Sequence, residues 1–334
     1  MIKVGINGFG RIGKLVFRII EDLNLEKKNI QVTAINCPSV TSLNLKYLIN
    51  YDSVHNLNKY DIELDENEIK VNGHKIILFR ERDPSKIDWS KGNVDYVIDS
   101  TGVFKTIKKA SVHLSSGVKK VIITAPSEDA PMYVVGVNTD KYENSQRIVS
   151  NSSCTTNCLA PVAKVINDNF KIKKGFISTV HSITSSQNTL DGRNAKKMRI
   201  GRSSQNIIPS TTGATKALGV IIPDLNNKID GLSYRVPTCN VSIIDFTFET
   251  EKETTYNEII QKIKEESNGK MKGILSYTEE ELVSSDYIGN TNSSIVDIKL
   301  GKEIGKNFFK VVAWYDNEWG YSCRVVDLLK IISK

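Results

Sequence analysis

The run Gly8-Phe9-Gly10-Arg11-Ile12-Gly13 limits what this chain can fold into more than any other stretch. A short apolar strand pattern, residues 3–7, leads straight into it. An amphipathic helix is predicted over residues 11–21, with Leu15, Val16, Ile19 and Ile20 turned inward, and a second strand over 30–36. Three glycines at this spacing carry little weight alone; between a strand and a helix they mark a dinucleotide-binding turn. Gly8 would allow the tight turn, Gly10 the approach of a pyrophosphate to the backbone, and Gly13 close packing of helix on sheet. The helix N-terminus would offer N–H donors to the phosphates.

Two more buried strands are predicted in this half, over residues 95–100 and 119–124. Ligands of a doubly wound sheet bind outside the carboxyl ends of its strands, which makes Asn36, Thr101, Gly102 and Thr124 candidates to line a cofactor. Small polar residues also end strands merely as turn formers, so position alone leaves each of them open. One position departs from a standard NAD site. The second strand normally ends in an acid that bonds the adenosine ribose; here Ile35-Asn36-Cys37-Pro38 stands there, with no carboxylate until Asp52.

A chain of 334 residues has room for two domains with cores of their own. With 40% hydrophobic and 25% charged residues its composition is ordinary, and no apolar run approaches a membrane span. The first residues enter a strand pattern at once, without the charged and apolar regions of a signal peptide. Five cysteines suit a reducing compartment better than a disulfide framework, so a cytoplasmic location is expected. The net charge of +7 is dispersed among acids. Only Lys196, Lys197 and Arg199, with Arg193 and Arg202, approach a basic cluster, and nucleic acid is not expected as the main partner.

The second half opens on Ser153-Cys154-Thr155-Thr156-Asn157-Cys158. Ser153 is a good N-cap, and Leu159, Val162, Ala163 and Ile166 supply an apolar helix pattern behind it. A thiol in the first turn feels the positive end of the helix dipole, and backbone N–H groups there can bond a thiolate or an oxyanion. Cys154 is therefore a candidate nucleophile, though a cysteine near a helix start is more often a small buried hydrophobe. Cys158 lies one turn deeper. The chain has four histidines, none near these cysteines in sequence, and no metal site is expected. His181 falls in a strand predicted over 176–183, where a lone histidine is more often structural than catalytic. Strands over 232–238, carrying Arg235, and 240–249 follow, then a helix near 256–267 and a strand over 311–315.

Five segments stand in order along nearly the whole length: GINGFGRIG at 5–13, SCTTNC at 153–158, TVH at 179–181, RVPT at 235–238 and WYDNE at 314–318. In these the chain resembles the phosphorylating glyceraldehyde-3-phosphate dehydrogenases. The resemblance implies an α/β chain whose N-terminal Rossmann-type NAD(P)-binding domain covers residues 1–152, with a C-terminal helix, 316–334, packing back on it. It implies an α+β catalytic domain with a mixed or antiparallel sheet over 153–315, and a homotetramer. The implied reaction turns D-glyceraldehyde 3-phosphate and inorganic phosphate into 1,3-bisphosphoglycerate with reduction of NAD. It would pass through a hemithioacetal and a thioester on Cys154, with His181 as base.

By the same resemblance, Thr184 and Arg235 would take the substrate phosphate. Ser153, Thr155, Arg199, Thr212 and Gly213 would take the attacking phosphate or lie between the two. Phe9, Gly10, Arg11 and Ile12 would hold the cofactor together with Asn36, Cys37, Thr101, Gly102 and Thr124, and Arg82 would lie near the adenine. Asn317 would hold the nicotinamide carboxamide and Tyr321 would flank the ring. The intact segment 210–213 disfavours the same-fold erythrose-4-phosphate dehydrogenase, and the Cys154–His181 pair disfavours a catalytically retired binding protein.

Two departures from the family pattern bear on the cofactor. NAD-using members usually carry aspartate where Cys37 stands, and proline where Arg193 stands. Losing a carboxylate and gaining a guanidinium both ease a 2′-phosphate, which leaves two readings open: a preference relaxed toward NADP, or an ordinary NAD site in which Asn36 and backbone groups hold the ribose. Cys323 is also uncommon at its position and has no functional reading.

Overall fold

The computed structural model describes residues 1–26, 29–55, 60–192, 198–202 and 205–334. Arg193, Lys196 and Lys197 of the predicted basic cluster lie outside the described residues. The chain divides into two units, one of residues 1–133, 141–152 and 322–334, the other of 134–140 and 153–321.

In the first unit, eight strands form one sheet: β1 (Ile2–Asn7), β2 (Ile30–Asn36), β3 (Ile62–Leu64), β4 (Glu68–Val71), β5 (His74–Phe79), β6 (Tyr96–Asp99), β7 (Lys120–Ile123) and β8 (Ile148–Ser150). Their order is β3-β4-β5-β2-β1-β6-β7-β8. From β5 to β8 every neighbour is parallel, while β3 and β4 extend the edge as antiparallel strands. This is the doubly wound order, and it reverses at β1, where such sheets open a crevice. Helices α1 (Arg11–Leu25), α2 (Ser42–Asn50) and the short α3 (Ile107–Ala110) belong to this unit.

Helix α1 runs a turn past its predicted end. The apolar pattern stops at Glu21, but that side chain is itself buried, with His74 Nε2 3.1 Å from Oε1. Phe17 and Arg18 are fully buried, whereas Ile19, expected inward, is half-buried. Arg18 is satisfied there by Ile49 O, at 3.2 Å from Nε and 2.7 Å from Nη2.

The second unit carries helices α4 (Cys154–Phe170), α5 (Ala214–Ile221) and α6 (Tyr256–Asn268) and the strands β9 (Ile172–His181), β10 (Ile208–Thr211), β11 (Ile229–Arg235), β12 (Ser242–Thr250), β13 (Leu275–Thr278), β14 (Ser294–Ile304) and β15 (Phe308–Tyr315). The sheet is mixed, in the order β10-β11-β9-β12-β15-β14-β13, parallel only at β11/β9 and β13/β14. Alternation along β9 buries Ile177, Thr179 and His181 on one face and exposes Phe176 and Val180 on the other. β9 starts four residues before its predicted start because its ladder with β12 continues through Gly175 opposite Phe248 and Lys174 opposite Glu249; Lys173 and Lys174 also pair with Glu249, at 2.8 and 3.2 Å. β11 and β12 are shorter at their facing ends than predicted, since the connection between them includes Val241 at φ 65. Helix α7 (Trp319–Ile332) closes the chain, its residues from Ser322 onward counting with the first unit.

Candidate active site

At the carboxyl end of β1, Gly8 has φ 90 and donates its N–H to Asn36 O at 2.9 Å. Gly13 lies so close to this loop that an added Cβ would stand 2.1 Å from Gly8 O. Gly10 precedes α1 without a side-chain cap, and open space lies where its own side chain would be. The loop is thus tight against the sheet and bare beside Gly10, which fits a pyrophosphate approaching the first turn of α1. Phe9 turns its ring into the core, edge-on to Phe17 at 5.6 Å, and Ile12 is half-buried. Arg11 and Lys14 both hold Asp52, at 2.5 and 2.6 Å. Burial pushes the Asp52 carboxyl up, but these cations and two backbone N–H groups hold it far below the usual carboxylate range.

Asn36, Cys37, Thr101, Gly102 and Thr124 stand at the carboxyl ends of β2, β6 and β7, and Arg82 follows β5. Asn36 Nδ2 donates to Asn7 Oδ1 at 2.8 Å and to Glu81 O at 2.9 Å, and Oδ1 accepts from Glu81 N at 2.9 Å. Its amide therefore braces the protein. Cys37 is half-buried, with its N–H on Phe79 O at 3.0 Å. Thr101 donates through N–H and hydroxyl to Asp99 Oδ1, at 3.1 and 2.7 Å, and Thr124 does the same to Asp99 O, at 3.0 and 3.1 Å. Gly102 has φ 69, and Arg82 is exposed.

In the second unit Ser153 caps α4, its Oγ accepting from Thr156 N at 3.1 Å, and Cys154 is the first helical residue. Cys154 Sγ lies 3.5 Å from His181 Nε2. His181 ends β9 and Arg235 ends β11, and the two are partners in the parallel register. Arg235 Nη1 comes within 2.7 Å of His181 Nδ1 and donates to Ser182 O at 3.2 Å, while Nδ1 is 2.8 Å from that same carbonyl. Burial pushes the Cys154 thiol up, opposed by the Arg235 guanidinium and by hydrogen bonds from Thr155. Burial, joined by Arg235, holds His181 down to about 3. Moving the proton from Sγ to Nε2 creates opposite charges in contact, whose attraction works against burial on both.

Cys158, one turn on, is fully buried against Ser294 Oγ at 3.5 Å, and burial raises its thiol well above the usual range. Tyr315, which stands in the segment 314–318 with no role assigned from the sequence, joins the site. Its ring meets His181 edge-on at 6.0 Å, and its hydroxyl bonds Thr155 Oγ1 at 3.0 Å and Thr179 Oγ1 at 2.9 Å. A sequence signal for Thr179 existed, since it lies two residues before His181 and hence on the same strand face. Asn317 is buried between Ser182 and Ser242, and Tyr321 is buried at the start of α7.

The remaining anion candidates are not joined to the Cys154–His181–Arg235 trio by hydrogen bonds among the described residues. Thr184 bonds Ser186 Oγ at 3.0 Å and Gln187 Oε1 at 3.1 Å. Thr212 accepts from Ala214 N at 3.2 Å, and Gly213 precedes α5. Arg199 is exposed. No group of three or more metal-ligating side chains is placed to hold an ion among the described residues, and none of their helices is long and apolar enough to cross a membrane.

Comparison with known proteins connects the two units. Residues 2–107 match the glyceraldehyde 3-phosphate dehydrogenase NAD binding domain, and residues 153–317 match the C-terminal domain of the same family. A glyceraldehyde-3-phosphate dehydrogenase of Neurospora crassa is 55% identical over 335 residues, covering 100% of this chain and 98% of the relative. One from Colletotrichum lindemuthianum is 54% identical over 100% of this chain and 98% of the relative. Glyceraldehyde-3-phosphate dehydrogenase 2 of Saccharomyces cerevisiae is 51% identical with both chains covered in full, at 100% each. A glycine loop on a doubly wound sheet, a helix-start cysteine on a histidine, and full-length identity of this size agree: the chain belongs to the glyceraldehyde 3-phosphate dehydrogenase family.

Proposed function

We propose that the chain converts glyceraldehyde 3-phosphate and inorganic phosphate to 1,3-bisphosphoglycerate through covalent intermediates on Cys154. The reading rests above all on one observation, the 3.5 Å contact of Cys154 Sγ with His181 Nε2 at the start of α4. Sγ adds to the aldehyde carbon, and the thiol proton passes by way of Nε2 to the carbonyl oxygen, giving a hemithioacetal. The Cys154 N–H and the His181 ring stabilise that oxygen while it carries charge. Nε2 then takes the hydroxyl proton as the carbon gives up hydride, leaving a thioester. NAD, when bound, supplies the nicotinamide that accepts the hydride. A phosphate oxygen attacks the thioester carbon, the C–S bond breaks, and the thiolate returns beside the protonated imidazole.

Arg235 brings a fixed cation to this imidazole, which suits an anionic substrate. Thr184 and Arg235 serve the substrate phosphate. Ser153, Thr155, Arg199, Thr212 and Gly213 serve the attacking phosphate or lie between the two. The unit of residues 1–133, 141–152 and 322–334 serves as the nucleotide domain, and that of 134–140 and 153–321 as the catalytic one. Phosphate-dependent growth of absorbance at the NADH wavelength is expected, and Cys154→Ser should remove it, by about a thousandfold or more. Turnover that survives either the substitution or the omission of phosphate would sink the reading.

The cofactor preference is relaxed toward NADP. Supporting this, β2 ends in Asn36, whose amide is engaged by Asn7 and Glu81, and then Cys37, so no acid stands there to repel a 2′-phosphate. Comparison of kcat/KM for the two cofactors decides it: an NAD preference beyond about a thousandfold, roughly 4 kcal/mol, excludes dual use. A homotetramer in the cytoplasm completes the proposal, supported by the family and by exposed apolar side chains on the outer sheet face of the second unit, Phe176, Val180 and Leu232.

A further inference from the structure

Asn317 is held from two sides in a way the catalytic scheme does not use. Ser182 follows His181 at the end of β9, and Ser242 opens β12 behind Val241, a β-branched residue at φ 65. Asn317 itself follows Asp316, whose carboxylate accepts from Glu318 N at 2.9 Å, Trp319 N at 2.7 Å and Gly289 N at 2.8 Å. The three side chains of Ser182, Ser242 and Asn317 are all buried. Ser182 Oγ lies 2.9 Å and Ser242 Oγ 2.8 Å from Asn317 Oδ1. Ser242 Oγ also accepts the Ser182 N–H at 3.1 Å.

A hydroxyl has one proton to give. Ser242 Oγ already receives an N–H, so its proton goes to Asn317, and the Ser182 hydroxyl points at the same atom. That atom is an acceptor, Oδ1. With the amide turned over, its NH2 would face two hydroxyl oxygens and leave two buried O–H donors without an acceptor. Both contacts are made by Oδ1, and neither engages Nδ2.

We infer that Ser182 and Ser242 are positioning residues that lock the Asn317 amide so that it offers a donor, Nδ2, and never its oxygen, to the cofactor. This rests on the reading of Asn317 as the partner of the nicotinamide carboxamide. The locked amide recognises a carbonyl oxygen on the pyridine ring and is indifferent to the NH2 beside it.

Calorimetric titration of the whole protein with NAD and with 3-acetylpyridine adenine dinucleotide, which keeps the carbonyl and lacks the NH2, tests this. The parent is expected to bind both within about threefold. In Ser182→Ala/Ser242→Ala the amide is free to turn, and its oxygen can then meet the NH2 of NAD but nothing on the ketone. The Kd ratio of analogue to NAD should rise about fivefold or more. The ratio is internal to each variant, so a reduced folded fraction does not move it; should the double variant not fold, Ser182→Ala alone is read the same way. An unchanged ratio in a folded variant overturns the lock. Asn317→Ala separates the two levels: if it leaves the NAD Kd within about twofold, the carboxamide reading has failed, and the lock with it.

Discussion

At the carboxyl end of β9 one proton has two places to sit, Cys154 Sγ and His181 Nε2, 3.5 Å apart. Which holds it depends on the far side of the ring. Nδ1 lies between an obligate donor, Arg235 Nη1 at 2.7 Å, and an acceptor, Ser182 O at 2.8 Å, and it serves one at a time. An anion that draws the guanidinium leaves Nδ1–H on Ser182 O and turns the Nε2 lone pair toward sulfur. The thiolate is then favoured by a cation formed in contact with it. In His181→Asn that cation cannot form, so the apparent pKa for alkylation of Cys154 by iodoacetamide should rise by about one to two pH units. Turnover should fall by about 10²- to 10⁴-fold. Superimposable alkylation profiles for parent and variant would take His181 off the proton path.

At the scale of elements, the glycine loop works through one close approach, that of α1 to the end of β1. Gly13→Ala puts a methyl group 2.1 Å from Gly8 O and 2.8 Å from Ser100 Oγ, and the nearer atom is backbone that cannot swing aside. The helix must back away from its strand. A loss of about 1–3 kcal/mol in stability is expected by denaturant titration, with a parallel loss of NAD affinity. Unaltered stability would mean that α1 is not seated as tightly as this contact requires. Such local features were legible in the sequence, because turn, helix start and cap are written within a few consecutive residues; Ser153 before Cys154 is another. What could not be read is anything fixed by register. Ser182 and Ser242 lie 135 and 75 residues from Asn317, and only the pairing of β9 with β12 and the turn before α7 bring them together. Tyr315 reached His181 unseen for the same reason. The β3–β5 edge escaped for another reason: its strands are short, and the alternation of Ile62 with Leu64 and of Ile69 with Val71 spans too few residues to set a strand apart from a loop.

At the scale of the molecule, the net charge of +7 suits substrates and a cofactor that are all anions, while the second unit presents a face of the opposite character. The outward residues of β9 and β11 include Phe176, 70% exposed, Leu232, 49%, and Val180, 38%. Phe176 and nearby Phe308 also line a cavity of about 420 Å³ on this sheet. Strands buried on one side usually alternate apolar and polar; here Phe176, Val180 and Leu232 add large apolar side chains to an outer side that also carries Asp230 and the Asp245–Lys310 pair, the mark of a partly apolar contact face. In the proposed homotetramer a second copy of the chain would supply a matching face, and a two-fold contact would count each side chain twice. Burying Phe176 is worth about 1.5–3 kcal/mol per copy. Phe176→Glu should therefore weaken the contact by about 3–6 kcal/mol, roughly a hundredfold to ten-thousandfold in its dissociation constant. Light scattering on a size-exclusion column should show the parent as a tetramer and the variant as smaller species at micromolar concentration. The Cys154 and His181 side of β9 points the other way, so the variant's thiol should keep the parent's alkylation profile. A variant that remains tetrameric would place the subunit contact elsewhere on the molecule, and the apolar face would need another cover.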